Sequence, residues 1–255
     1  MLIDTHTHIY SNAFDQDRDG AISRAIAAGV SKLILPAIDS NTTEIMHEVK
    51  RKYPDHIFLM MGLHPTHVGL SVEEELAHVR EQLDKHSFVA VGEIGMDLYW
   101  DKTYQSQQQE AFACQIEWAL EADLPVVIHC RDAFAPIFEV LEGFDDTRLR
   151  GVFHCFTGSK ADAQRAMDLD FYLGIGGVVT FKNGKIDQFL SNFPIEKMLL
   201  ETDSPYLAPT PYRGKRNESA YLPIIAKKMA KLFDISTVEI ARITSKNAQK
   251  LFELT

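Results

Sequence analysis

Short apolar runs alternate along the chain with longer stretches in which apolar residues recur every three or four positions. The first pattern predicts buried strands and the second predicts helices with one face on a core. Strands are expected over residues 2–9, 32–36, 57–62, 88–93, 126–129, 151–154, 172–175 and 197–201. Helices are expected over 15–28, 42–52, 71–85, 104–122, 132–141 and 161–169, with a short one over 185–192. Two more, over 220–233 and 237–252, close the chain. Strand and helix in strict alternation define a parallel α/β architecture. Eight such units in about 200 residues suit a closed (β/α)8 TIM barrel with an extra C-terminal helix better than an open doubly wound sheet. No G-x-G-x-x-G follows the first strand, which weakens a dinucleotide-binding reading. No linker, low-complexity tract or charge run divides the chain, so residues 1–255 read as a single barrel.

Composition narrows the class without naming a reaction. Hydrophobic content is 45% and charged content 24%, the profile of an ordinary globular protein with no run long enough to span a bilayer. The first residues carry no basic region followed by an apolar core, and His8 interrupts any signal-like stretch, so the expected location is cytoplasmic. Cys114, Cys130 and Cys155 lack C-x-x-C spacing, which suits a reducing compartment. A net charge of −10 argues against tight, extended binding along duplex DNA, which calls for a basic face. It leaves room for a locally positive, metal-charged pocket that takes an anionic substrate.

Candidate ligands gather at one end of the predicted barrel. Asp4-Thr5-His6-Thr7-His8 ends the first strand, and period-two alternation puts His6 and His8 on one face, roughly 7 Å apart. An H-x-H pair alone is weak evidence for a metal. Glu93 then ends strand four, His129 strand five and His154 strand six, and Asp203 lies just past strand eight. In a TIM barrel the carboxyl ends of the strands converge on the active site. Four histidines and two carboxylates at one rim are too many polar groups to bury unless a metal satisfies them. The set divides between two divalent ions: His6, His8 and Asp203 hold one, His129 and His154 the other, and Glu93 bridges. Two carboxylates against two such ions leave a net positive pocket, suited to a phosphodiester, and a two-metal site clamps the attacking and leaving oxygens. Asp203 is placed to take a proton from the attacking water.

Seven segments in order resemble the motifs of TatD-type metal-dependent deoxyribonucleases. They are Asp4–His8, Gly62–Pro65, Gly92–Asp97, His129–Arg131, His154–Gly158, Glu201–Tyr206 and Arg216–Glu218. The resemblance implies an amidohydrolase-type (β/α)8 barrel and divalent metal dependence. It further implies hydrolysis of DNA phosphodiesters, often from the 3′ end, with His6, His8, Glu93, His129, His154 and Asp203 as metal ligands. Glu93 stands where other amidohydrolase-type barrels often carry a carboxylated lysine, which argues against amide or lactone chemistry. Single strands or frayed 3′ ends are the expected DNA substrate, since the mouth of a barrel reaches an end more easily than a duplex interior. The alternative is a metal-dependent esterase or deacylase acting on an aminoacyl-tRNA bond or a small phosphoester. The metals stay open among Zn, Mn, Co, Ni and Mg, the last preferring more oxygen ligands. No membrane and no obligate protein partner is expected.

Several nearby residues carry two readings each. His64, before Pro65, reads as a phosphate contact or a turn histidine. Arg131 reads as a phosphate contact or the partner of Asp132 or Glu201. Arg213 and Arg216, in a basic loop after strand eight, suit phosphate by their forked geometry, and Tyr206 suits stacking on a base. Arg216 and Glu218 read equally as fixing that loop to the barrel. Asp4 and Glu201, one layer below His6 and Asp203, are expected to orient imidazoles or an arginine. Asp97 reads as a loop cap or a substrate-facing group. His47, His56, His67, His78 and His86 fall away from the strand ends and are expected on the surface.

Overall fold

The computed structural model describes residues 1–254. Its eight strands are β1 (Leu2–Asp4), β2 (Val30–Leu35), β3 (Ile57–Met61) and β4 (Ala90–Asp97), then β5 (Val126–Arg131), β6 (Gly151–Phe153), β7 (Tyr172–Ile175) and β8 (Met198–Leu200). They pair in parallel in the order of the chain. The ring closes just past β1 and β8, where Thr5 N donates to Leu200 O at 3.1 Å and Asp203 N donates to His6 O at 2.9 Å. Helices α1 (Arg18–Ala27), α2 (Thr43–Lys52), α3 (Val72–Lys85), α4 (Gln105–Glu121), α5 (Phe134–Glu142) and α6 (Lys160–Asp168) follow the first six strands. After β8 come α7 (Leu222–Phe233) and the extra α8 (Thr237–Leu251).

Two cores result. One lies between the strands and the ring of helices. The other is the barrel interior, to which each strand contributes one residue: Ile3, Ile34, Met60, Ala90, Val127, Val152, Tyr172 and Leu199. Ala248, Leu251, Phe252 and Leu254 join this second cluster, so the end of α8 plugs the barrel. Burying a Leu or Phe there contributes about 1.5–3 kcal/mol, which gives the extra helix a structural task. With the interior filled from that side, the polar side chains gather past the carboxyl ends of the strands.

Three predicted elements differ. The first strand stops at Asp4 rather than running to Ile9, and His6 and His8 lie on the extended segment beyond it. The fourth strand runs on to Asp97, four residues past the predicted end. Residues 185–192 form two 3-10 turns, Ile186–Gln188 and Leu190–Asn192, not a helix, so β7 and β8 are joined without an α-helix. Their apolar spacing is helical, but Phe189 and Phe193 sit between turns and Pro194 stops any continuation. Among the described residues no helix is long and apolar enough to cross a membrane.

Candidate metal centre

The segment after β1 is held on both sides. Thr7 N donates to Ile34 O at 3.1 Å and His8 N donates to Ser204 O at 2.7 Å. Thr7 Oγ1 also meets Ser204 Oγ at 2.7 Å. The backbone is therefore pinned as firmly as a strand, and the i, i+2 spacing still turns both imidazoles one way. Their ring centroids lie 5.1 Å apart.

Glu93 occupies the middle. The β4–β5 register slips between Gly92 and Ile94, a bulge of the kind that re-aims a side chain. The side chain is buried, and its two oxygens face different neighbours. Oε2 lies 3.0 Å from His6 Nε2 and 3.9 Å from His8 Nε2. Oε1 lies 2.7 Å from His129 Nδ1, 2.8 Å from His154 Nε2 and 3.3 Å from His64 Nε2. Across the barrel seam, Asp203 Oδ1 lies 3.4 Å from His8 Nε2 and 3.9 Å from His6 Nε2. Donor atoms thus fall in three overlapping sets within 4.8 Å: His6, His8 and Asp203; His6, Glu93 and His154; His64, Glu93 and His129. All six residues predicted as ligands converge, and His64 joins them at ligand distance.

Two glycines make the room. At Gly95, with φ of +133°, a Cβ would sit 2.2 Å from His129 O, so only glycine lets β4 press against β5 there. At Gly174 a Cβ would sit 2.3 Å from Glu201 Oε2, in the space that carboxylate fills.

Carboxylates lie on the far side of His129 and His154. His129 Nε2 meets Asp97 Oδ2 at 2.9 Å, and His154 Nδ1 lies 3.3 Å from Glu201 Oε1. Glu201 also accepts from the Cys155 backbone N–H. His8 has a hydroxyl instead: its Nδ1 meets Tyr10 Oη at 2.9 Å, and Tyr10 donates to Pro36 O. Asp4 accepts from Thr202 N at 2.9 Å and Thr202 Oγ1 at 2.6 Å, with His6 N at 3.4 Å. It fastens the backbone of β1 to the loop after β8 rather than orienting an imidazole or an arginine, a correction to the expected role. Burial pushes its carboxyl up to about 7.

The electrostatics fit a cation site. Burial opposes ionisation of Glu93, but the imidazoles of His154, His64 and His6 with the hydrogen bond from His129 outweigh it and hold its carboxyl well below the usual range. Burial likewise opposes charge on His154, yet Glu93 and Glu201 raise it well above the ordinary imidazole value. Burial and the neighbouring His154 instead push His6 down. Both ring nitrogens of His6 are buried without an aligned hydrogen bond, although Glu93 Oε2 is only 3.0 Å away. A buried neutral imidazole lacking hydrogen-bond geometry is the kind of group that a bound metal ion would satisfy. Imidazole and carboxylate donors together suit Zn, Mn, Co or Ni.

The candidate substrate contacts separate. Tyr206 is exposed, 5.9 Å edge-on from His8. The Arg131 guanidinium lies over the Tyr99 and Trp100 rings rather than pairing with Asp132 or Glu201. Arg213 packs on Phe181 at 3.6 Å and donates to Ala208 O. Arg216 is engaged by Asp17, Glu218 and Ala13 O, which is the loop-fixing arrangement. Of the five histidines expected on the surface, His47, His56 and His78 are half-buried instead, because His78 meets Thr43, His56 meets Ser31 O and His47 packs on Phe88.

Three contributors are not read in the sequence as supports of this centre, although the loop-cap reading of Asp97 agrees with its acceptance of the Tyr99 N–H. Asp97 is the carboxylate behind His129. Gln108 Oε1 accepts from Asp97 N at 2.9 Å, and Gln115 Oε1 accepts from Leu63 N at 2.7 Å, so α4 fixes the ends of β4 and β3. Two glutamines seven apart on the apolar face of a helix were the available signal.

With this geometry in hand, similarity to known proteins is specific. The profile of the family described as TatD related DNase matches residues 3–253. The chain is 39% identical over 255 residues to the uncharacterized metal-dependent hydrolase YabD of Bacillus subtilis, covering 100% of both. It is 32% identical to the 3'-5' ssDNA/RNA exonuclease TatD of Salmonella typhimurium, covering 99% of both. The crystal structure of YJJV, a TatD homolog from Escherichia coli K12, superposes with a TM-score of 0.94 at 29% identity, covering 100% of this chain and 98% of that one. The chain belongs to the TatD related DNase family of metal-dependent hydrolases.

Proposed function

We propose that the protein is a two-metal phosphodiesterase that removes nucleotides from the 3′ end of single-stranded or frayed DNA. The observation that carries the reading is the placement of Glu93, with one oxygen toward His6 and His8 and the other toward His129 and His154. In this reading His6, His8 and Asp203 would hold one ion, His129 and His154 would hold the second, and Glu93 would be shared. His64 lies close enough to the second set to contact it or a substrate oxygen beside it. The names of the relatives, 3'-5' ssDNA/RNA exonuclease TatD, support a nucleic-acid strand with a free 3′ end as substrate.

Bound divalent ions supply Lewis acidity to the phosphoryl oxygens and lower the pKa of the attacking water. The chain's own residues do the rest. Asp203 takes the proton of that water at a carboxylate oxygen, because the carboxylate sits at the rim with His8 beside it. Asp97 holds His129 in one ring orientation through a hydrogen bond, and the Glu201 carboxylate, 3.3 Å from His154 Nδ1, favours the charged form of that ring. Glu93, ionised and central, holds the two halves at a fixed separation.

The test is cleavage of 3′-labelled and 5′-labelled single-stranded DNA with Mn, Mg, Co or Zn, beside EDTA and a Glu93→Ala variant. Stepwise loss of 3′ label before 5′ label, abolished by chelator and by the substitution, is the expected result. No cleavage with any of the four metals, alongside turnover of a carboxyl ester, overturns the reading in favour of a deacylase.

A further inference from the structure

Two large aromatic side chains stand out in solvent just past β4. Tyr99 is 53% exposed and Trp100 71% exposed, on a protein whose interior is otherwise well filled. They meet edge to face, with centroids 4.9 Å apart and planes at 86°. The Arg131 guanidinium lies 3.8 Å from the Tyr99 centroid and 5.1 Å from that of Trp100. Among the described residues its N–H groups meet no carboxylate or carbonyl. That separates it from Arg216, whose guanidinium is engaged by Asp17, Glu218 and Ala13 O, and from Arg213, which donates to Ala208 O.

This group is coupled rigidly to the metal centre. Asp97 Oδ1 accepts from the backbone N–H of Tyr99 at 3.0 Å and faces that of Trp100 at 3.4 Å. The other oxygen, Oδ2, meets His129. One carboxylate therefore sets both an imidazole facing Glu93 and the loop that carries the aromatics. Leu98 N donating to Arg131 O at 2.9 Å ties the arginine's strand to the same loop.

We infer that Trp100, Tyr99 and Arg131 form a nucleotide subsite, in which an unpaired base of a nucleotide flanking the scissile phosphate stacks on the indole and a strand phosphate takes the arginine fork. The inference rests on the nuclease reading above. Its chemistry follows from the parts. An exposed indole offers a sequence-tolerant π-face to any unstacked base. A planar guanidinium with free donors, held flat by an aromatic ring, matches phosphate in two-point geometry. An unstacked base exists only in single strands and frayed ends, so the subsite selects that form without a basic surface, consistent with the net charge of −10.

Single-stranded oligonucleotides with an abasic residue at the 3′-terminal or the penultimate position test this, with Trp100→Ala and Trp100→Phe beside the wild type. Removing the base at one of those positions is expected to raise the wild-type KM about 5- to 150-fold, the range that base–aromatic stacking carries. Trp100→Ala raises KM comparably on normal DNA and adds nothing on the abasic substrate. Trp100→Phe restores most of the loss, and kcat stays within about two-fold in each case. Arg131→Gln lowers the slope of log affinity against log salt by about 0.7, the loss of one phosphate contact to a single strand. A structural defect relayed through Asp97 to His129 would instead lower kcat on both substrates alike. That result, or an abasic cost equal in wild type and Trp100→Ala, overturns the subsite.

A second measurement does not depend on turnover. The chain has two tryptophans, so in a Trp118→Phe background the fluorescence reports Trp100 alone. Normal oligonucleotide is expected to quench it, and the abasic one is not. Quenching without cleavage supports the subsite while overturning the nuclease reading. Cleavage without quenching does the reverse.

Discussion

The two halves of the metal centre are built differently. On the His129–His154 side each imidazole has a carboxylate behind it, Asp97 for one and Glu201 for the other. Asp97 is hydrogen-bonded to His129, while Glu201 lies 3.3 Å from His154 Nδ1 without hydrogen-bond alignment; on the His6–His8 side, among the described residues, no carboxylate stands behind either ring, and the Tyr10 hydroxyl meets His8. A carboxylate behind an imidazole fixes the ring and makes it more basic. One half is therefore the more preorganised and electron-rich, and the other has Asp203 as its own carboxylate beside the shared Glu93. Of the two central carboxylates Asp203 is the nearer to solvent, at 9% exposed against 2% for Glu93. On the two-metal reading proposed above, the first half would bind its ion more tightly and the second would handle the proton.

Removing the shared anion should erase the distinction. Glu93→Ala is expected to reduce activity to background and bound metal from two ions per chain to one or fewer, measured by elemental analysis after gel filtration. Retention of two ions would break the comparison at its base. Asp203→Asn should be more selective: kcat falls about 10²–10⁴-fold, the usual worth of a general base, while the ion held by His129 and His154 remains. An Asp203→Asn protein that loses both ions would mean that the two halves are not independent.

The supporting residues separate the halves most directly. Asp97→Asn and Glu201→Gln should each weaken one metal about 10- to 100-fold in competition with a chelator. Tyr10→Phe, which removes a neutral partner, should weaken the other by only a few-fold. An equal or larger effect from Tyr10→Phe would reverse the assignment of the tight half.

These supporting roles mark where the sequence stops being readable. His129, His154 and Glu93 are legible because each closes an apolar run, so period and position agree. Glu201 is legible because it precedes Asp203 by two on the same run. Asp97 is not, since Gly95 interrupts the pattern, and nothing in the local period shows that β4 runs past a bulge at Glu93 to lie beside His129. His6 and His8 were expected on a strand and lie beyond it; their facing survives because Ile34 and Ser204 hold the segment extended from both sides. Asp4 misleads for a related reason. Period-two alternation from His6 assumes a continuous strand, but β1 ends at Asp4, and its carboxylate turns to Thr202. Long-range pairing decides each of these cases, and the periodicity of a single segment carries no record of it.

The smallest effect belongs to the loop after β8, where the arginines are structural. Arg216 bridges Asp17 and Glu218, and Arg24 reaches the same two carboxylates, tying this loop to α1. All four groups are partly solvated, so Arg216→Ala is expected to cost about 1 kcal/mol or less, with KM for single-stranded DNA unchanged. Hydrogen bonds from Arg216 and Arg24 hold the Asp17 carboxyl below its ordinary value of 3.8. An acid depressed in the folded state adds stability at pH values above its unfolded pKa and loses that contribution as pH falls toward the folded one. The difference in Tm between wild type and Arg216→Ala should therefore be constant near neutrality and shrink below about pH 4. A rise in KM with no change in Tm would move Arg216 from the loop's anchor to the substrate, and the contrast with Arg131, whose donors meet no carboxylate or carbonyl among the described residues, would disappear.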